Sequence, residues 1–357
     1  MKIALITDQH FGGKSDSNSF NDYIEKFYTN QFFPYLKENN IDTVIDLGDT
    51  FDRRKYVNFA ILDKVRKFYF DVLWQNNIKL HSIVGNHSTY YRNTNNVNSS
   101  FLLYGHYNNV NVYPAAHTLT LDGTDIDFIP WINSENHDGT MGFIKNSKSQ
   151  VAFGHLEVEG FAMYKNYVAE SGISKDVFKG YELVASGHYH HKSSKGNVHY
   201  LGAPYEITWN DYDDPRGFHI FDTGTRELEF IRNKYRLFEK IYYDDENIDY
   251  RSVSGKPYKD KIVKLIVEAK SDVGTFESFL DRLYKANPID LIILEDLSEY
   301  TARYSDEDGE DMEIGNTATF LEEYVDSIPI DHDKKTERIK VKKLLQLLYD
   351  EALNSDE

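Results

Sequence analysis

A chain of 357 residues with 58 Asp and Glu against 40 Lys and Arg, a formal charge of −18, can supply a core domain of about 200 residues with smaller additions. Without cysteine it excludes a disulfide framework, and without an apolar run of about 18 residues it excludes a helical membrane span. Residues 1–7 read as a strand running straight into a polar motif, which leaves no room for a signal peptide, so the expected location is cytoplasmic.

In chain order, Ile3-Ala4-Leu5-Ile6 predicts a strand that empties into Asp8-Gln9-His10. An amphipathic helix is expected over residues 20–38, interrupted by Pro34. Val44-Ile45-Asp46-Leu47 predicts a second strand, leading into Gly48-Asp49-Thr50-Phe51-Asp52, with a second helix over 58–75. A third strand over 80–84 ends at Gly85-Asn86-His87, and the asparagine-rich stretch 93–100 reads as a surface loop. Strands follow at 110–113, 117–121 and 126–130. Val151-Ala152-Phe153 then precedes Gly154-His155, and Leu183-Val184-Ala185-Ser186 precedes Gly187-His188-Tyr189-His190. Strands at 198–201, 217–221 and 227–231 complete an α/β unit over residues 1–235, a layered β-sandwich flanked by helices. Residues 236–302 read as a small α/β piece, with strands at 261–268 and 289–294 around a helix at 275–285. An acidic linker covers 303–316, and 317–357 resumes helical periodicity as a pair of helices. Two short apolar helices beyond a linker are expected to dock on a partner rather than to make a core of their own.

The five polar motifs share one feature: each follows an apolar strand. In layered α/β folds the crevice beyond the carboxyl ends of strands is where distant loops meet. Their residue types are carboxylate and imidazole, the donors that Mn²⁺, Fe²⁺ or Zn²⁺ take, and one carboxylate can bridge two ions about 3.5–4 Å apart. Such a pair activates water and offsets charge on phosphate oxygens during in-line displacement. Glycine before the motif at Gly48, Gly85, Gly154 and Gly187 is expected to let the backbone turn and a phosphate approach. Any one motif alone carries little weight, since Gly-Asp-x-x-Asp could be an ordinary capped turn. The ordered set of five carries the reading. His81, His106, His117, His137, His199, His219 and His332 match no ligand spacing and are expected to be structural.

The five runs resemble, in order, the D-x-H, G-D-x-x-D, G-N-H, G-H and G-H-x-H motifs of the calcineurin-like metallophosphoesterase superfamily. The resemblance implies one metal on Asp8, His10, Asp49 and His190 and another on Asp49, Asn86, His155 and His188, with Asp49 as the bridge. It implies that His87 assists the leaving oxygen and that Asp52 orients a ligand or the turn. The family usually has an acid where this chain has Ser88, whose hydroxyl could still hydrogen-bond a ring nitrogen of His87 but carries no charge.

The three-part plan also resembles SbcD-type nuclease subunits and their eukaryotic and T-even phage counterparts, most visibly at residues 48–53, Ile129-Pro130-Trp131, 202–205 and 214–218. That likeness implies a two-metal DNA exonuclease and single-strand endonuclease for double-strand-break processing and recombination. Its cofactors would be two divalent ions, manganese first, with magnesium, iron or zinc as alternatives. Its partners would be DNA, a second copy of itself, and an SMC-like coiled-coil ABC ATPase of the SbcC type gripped by the C-terminal helices, with no membrane and with host cytoplasm as the setting for a phage protein. The net negative charge is partly a tail effect, since residues 296–357 hold 18 acids and 7 bases. Arg53, Arg54 and Lys192, beside the metal motifs, are the expected phosphate contacts. Two other readings stand beside this one: a phosphatase of the calcineurin-like family, because residues 48–53 also resemble the corresponding motif of serine/threonine phosphatases, and a non-catalytic scaffold that dimerises the ATPase.

Overall fold

Strands buried on both faces need apolar residues at nearly every position. Ile3, Leu5 and Ile45 face one core while Ala4, Ile6 and Val44 face another, with all six fully buried. In the computed structural model, which describes residues 1–164 and 167–295, such strands form two six-stranded sheets packed face to face with helices on both outer sides. The expected linker over 303–316 and helical pair over 317–357 lie outside the described residues.

The first sheet runs in the order Leu228–Arg232, Gly217–Asp222, Lys2–Ile6, Thr43–Asp46, Lys79–Ile83 and Val110–Tyr113. The last four of these strands are parallel. In the second sheet Thr124–Ile129, Val151–His155, Leu183–Gly187 and Val198–Tyr200 are parallel, with antiparallel edges at His117–Leu121 and Ser193–Lys195. Between the sheets Ile3, Leu5, Ile45, Leu47 and Ile83 meet Ile126, Phe128, Val151, Phe153 and Leu183. Parallel pairing puts the carboxyl ends of three central strands of the first sheet and two of the second at the polar motifs.

The helix over Asn18–Glu38 does not stop at Pro34. It passes through a wide turn at Tyr28–Phe32, where the Phe33 N–H reaches the Tyr28 carbonyl five residues back, so the missing proline N–H breaks no ladder. The helix over Phe59–Gln75 carries the same kind of turn at Arg66–Phe70. Both wide turns aim aromatics at one cluster, where Tyr28 lies 4.9 Å from Tyr69 and Phe11 lies 5.5 Å from Tyr69, ring centre to ring centre.

The expected surface loop at 93–100 is only partly at the surface, with Asn93, Asn96 and Val97 exposed. Asn95 and Asn98 are buried, the first donating to the Pro114 and Trp131 carbonyls and the second capping the helix Ser99–Tyr104 through the Phe101 N–H. Asparagine satisfies buried main chain as readily as it marks a loop, and composition does not distinguish the two.

A third sheet of parallel strands, Phe238–Asp244, Ile262–Ala269 and Asp290–Glu295, carries the helix Val273–Lys285 on one side. Tyr243, Tyr250, Phe276, Phe279 and Leu283 form its core, and Leu237 and Phe238 reach into the aromatic cluster of the main sandwich. Among the described residues no helix is long and apolar enough to cross a membrane.

Phe153 sits at the centre of the sandwich, fully buried and perpendicular to Phe221 at 5.1 Å. Phe153→Ala is expected to cost about 3–5 kcal/mol of unfolding free energy in urea, from lost burial plus an unfilled cavity. A loss below about 1 kcal/mol would show that the two sheets do not depend on this contact.

Candidate metal centre

The first two polar loops are held together by main chain. Beyond the end of their strands, Asp8 N–H donates to the Gly48 carbonyl, His10 N–H to Asp49 and Phe11 N–H to Thr50, at 2.9–3.0 Å, while Asp52 N–H returns to Phe11 at 3.1 Å. Sheet pairing therefore continues into the loops and fixes their spacing. Asp46, buried in its strand, anchors the second loop by accepting from the Gly48 N–H at 3.1 Å and from the Thr50 hydroxyl. Its burial, only partly offset by these bonds, raises its carboxyl to about 7.

Close approach is what the glycines provide. A Cβ on Gly85 would lie 2.3 Å from Asp49 Oδ1, and one on Gly48, whose φ is +108°, would lie 2.5 Å from His155 Nδ1. The space they leave is filled by protein, not left open for phosphate as the sequence suggested. Asp8, His10, Asp49 and His188 all adopt positive φ, between 43° and 88°. Non-glycine residues hold that conformation at a cost and only where their surroundings determine it.

Three groups of donor atoms result, one of them His10, Asp52 and His87, which shares His10 with the first of the two built from the expected ligands. Asp8, His10 and His190 bring a donor each within 4.8 Å of one another, and so do Asp49, His155 and His188. Asn86 joins the second group, its Oδ1 lying 2.8 Å from His155 Nε2 and 3.0 Å from His188 Nδ1. The two groups adjoin, since the His10 N–H bonds the Asp49 carbonyl. The seven residues named from the motifs are thus brought together, while His81, His106, His117, His137, His199 and His219 belong to neither group. His332 lies outside the described residues.

The donor set fits divalent cations on a simple count of lone pairs. His155 Nδ1–H donates to the Leu47 carbonyl at 2.8 Å, so Nε2 of the neutral ring is a lone pair. It faces Asn86 Oδ1 at 2.8 Å and Asp49 Oδ2 at 3.2 Å, acceptor against acceptor. His10 Nδ1–H donates to Asp52 Oδ1 at 3.0 Å, which turns its Nε2 toward His190 Nε2 at 3.1 Å. Such contacts repel unless a positive charge stands among them. The titration of these groups reports the same demand. Burial lowers the affinity of His10 and His155 for protons, but Asp52 and Asp49 at the first, and Asp49 and Asp8 at the second, overcome it and raise both to about 9. Burial likewise opposes charge on Asp49, yet His155, His87 and His10 hold its carboxyl well below the usual range. Burial, with His155 beside it, takes His188 down to about 3, a neutral donor. Oxygen and imidazole donors without sulfur suit manganese, iron, zinc or magnesium.

Around the donors, Asp52 has two functions: its carboxylate orients His10, and its main-chain carbonyl accepts from His87 Nδ1 at 2.5 Å. The His87 N–H also donates to Asp49 Oδ1 at 2.8 Å. Ser88 is buried and its hydroxyl makes no hydrogen bond, so His87 is oriented by the Asp52 carbonyl and not by Ser88. Arg53 pairs with Asp16 at 3.2 Å and stacks on Tyr56, Arg54 is half-buried, and Lys192 lies over the Phe230 ring at 4.8 Å. Three contributors lay outside the sequence reading of the site. Asp46 had a signal, a charge inside an apolar strand. Arg216, which donates to the His190 carbonyl and pairs with Asp211 and Asp214 at 2.7 Å, stood in a quoted stretch without a role. Leu47 acts through its carbonyl and left no signal.

Cations and protons would compete for His10 and His155, so titration with a divalent cation such as Mn²⁺ is expected to release about two protons below pH 9, with apparent affinity climbing as pH rises toward 9. Calorimetry in buffers of different ionisation enthalpy measures the release. A pH-independent affinity without proton release would contradict this donor assignment.

Residues 1–192 match the family described as calcineurin-like phosphoesterase. Exonuclease subunit 1 of Enterobacteria phage T4 is 35% identical over 331 residues, 92% of this chain and 93% of that protein. Among solved structures, an archaeal phosphodiesterase aligns over 65% of this chain and 99% of its own at 14% identity and a TM-score of 0.33. A dimetal phosphatase from Danio rerio aligns over 66% and 97% at 12% identity and a TM-score of 0.39.

Proposed function

The chain belongs to the calcineurin-like phosphoesterase family, and from that premise we propose that it is the DNA-cleaving subunit of an ATPase–nuclease complex acting in double-strand-break processing and recombination. The observation that carries the reading is the convergence of seven oxygen and nitrogen donors whose lone pairs face one another. The relative named an exonuclease subunit, similar along nine-tenths of both chains, supports DNA as substrate and a complex as the working form.

One ion would be held by Asp8, His10, Asp49 and His190, and the other by Asp49, Asn86, His155 and His188. When bound, two divalent ions, manganese in this reading, supply Lewis acidity and offset the charge of the phosphodiester. The protein's own part is orientation and proton transfer. Asp52 fixes His10 through its carboxylate and His87 through its carbonyl, so both rings keep one nitrogen directed away from these anchors. His87 Nε2 carries the proton to the departing sugar oxygen, while Arg53, Arg54 and Lys192 meet flanking phosphates. Residues 236–302 shape access of DNA to the site. The segment 317–357 grips an SMC-like coiled-coil ATPase, two copies of the chain pair with each other, and the setting is the host cytoplasm.

The test is cleavage of end-labelled linear duplex and single-stranded DNA in Mn²⁺, with and without the ATPase, alongside metal analysis. His87→Ala is expected to retain both metals and DNA binding and to lose about 10²–10⁴-fold in rate. Asp49→Ala is expected to lose metal and cleavage together. Cleavage by wild type that His87→Ala leaves intact would remove the proposed acid, and metal-loaded wild type inert on every DNA would overturn the nuclease reading.

A further inference from the structure

Next to the metal centre, but lined by none of its donors, is a cavity of about 280 Å³. Trp131 forms the partition between the two: its ring centre lies 5.1 Å from that of His188 and 6.3 Å from that of His155 on one side, and it lines the cavity on the other. The partition is rigid. Trp131 N–H donates to the Val84 carbonyl at 2.8 Å, and its own carbonyl accepts the side-chain amides of Asn95 and Asn136, both at 2.9 Å. Asn133, which also lines the cavity, locks this wall by donating to Asn95 Oδ1 at 3.0 Å. Across the cavity stand Ile173 and Glu157, their main chains joined by a 2.8 Å hydrogen bond. Glu157 is half-buried, and among the described residues its carboxylate has no hydrogen-bond or ion-pair partner.

A flat aromatic wall, a facing carboxylate and an adjoining phosphodiester site define what can enter. The volume is near the lower end of small-ligand pockets, about 300 Å³, and is far too small for a duplex. Glu157, without a partner among the described residues, repels phosphate and accepts N–H donors, which a neutral nucleobase offers beside the phosphodiester site. We propose that the cavity is a base subsite, which takes the unstacked nucleobase beside the scissile phosphate, stacks it on Trp131 and lets Glu157 accept its exocyclic amino N–H. This rests on the nuclease reading and deepens it. Carboxylate pairing with an amino group favours cytosine, adenine and guanine over thymine, which presents carbonyls in those places. Stacking on an aromatic platform is indifferent to base identity but requires a base. The substrate so selected is a single-stranded or locally opened nucleotide, extruded from its neighbours.

The experiment compares single-stranded oligonucleotides differing at one residue flanking a defined cut: cytosine, thymine or an abasic sugar. For wild type, kcat/KM is expected to fall about 10–100-fold on the abasic strand, with thymine intermediate. Glu157→Ala cleaves cytosine and thymine strands alike yet still prefers both to the abasic one. Trp131→Ala loses the preference for a base, and Trp131→Phe retains it. A Trp131→Ala enzyme slowed equally on all three strands, with the wild-type ratios kept, would make Trp131 a merely structural wall and overturn the subsite. So would wild-type ratios near one, which leave the nuclease reading standing. If wild type cleaves no DNA, the nuclease reading fails by itself, and calorimetric binding of dCMP against deoxyribose 5-phosphate decides the subsite. Tighter dCMP binding that Glu157→Ala weakens, Trp131→Ala abolishes and Trp131→Phe retains supports it, and equal binding ends it.

Discussion

Seven side chains from five loops point electron pairs at one small region where the protein offers few hydrogens of its own, and the rest of the architecture serves to sustain that arrangement. Left alone, Asp8 and Asp49 would repel, and the facing nitrogens of His10 and His190 would separate. The chain holds them by exhausting their other options. His155 is committed through Nδ1 to the Leu47 carbonyl, His10 to Asp52, and Asp8 accepts from the Thr7 hydroxyl and the His188 N–H. His10 and His155 each have one ring nitrogen tied to the scaffold, so the other faces the centre. The positive φ values at four of the seven residues are the backbone's share of this cost.

What resists the repulsion is the close-packed sandwich behind the loops. Loops zipped by continued sheet pairing cannot spread without breaking main-chain hydrogen bonds, and those bonds begin in strands buried on both faces. The aromatic cluster adds a second restraint from the side. Gln9, between the two donors of the first loop, has its side chain held by the Tyr28 hydroxyl and its carbonyl held by Tyr205. Tyr28 is placed by the wide turn that Pro34 follows. A helix irregularity beginning 19 residues downstream of Gln9 thereby positions the first polar loop.

Charge distribution explains how an acidic chain can serve an anionic substrate. Several acids near the centre are consumed as donors or as anchors, so when cations are bound the centre is locally far less negative than the whole. Glu157 is the exception, an acid set just outside the donor set with no partner among the described residues. Its position makes sense if what arrives there is a base rather than a phosphate.

The sequence by itself determined where along the chain most strands of the main unit fall, the residues at their carboxyl ends, and the chemistry of the donors. Apolar runs must be buried, and carboxylate with imidazole beyond five of them left little alternative to a metal site. It could not reveal contacts made by main chain or by residues of ordinary type. Leu47 works through a carbonyl, and Asp52 reaches His87 the same way. Ser88 stands in sequence beside His87 but makes no hydrogen bond to its ring, which is held by the Asp52 carbonyl instead. The asparagines at 95 and 98 looked like a loop because composition records polarity and not the buried carbonyls that satisfy it. The glycines showed where the chain must approach something closely, but only the fold decided that the neighbour is another loop. The same holds for Trp131, whose place between the donors and the cavity follows from a hydrogen bond to Val84 on the opposite sheet. Local pattern determines which atoms are available, while packing between distant segments decides which of them meet.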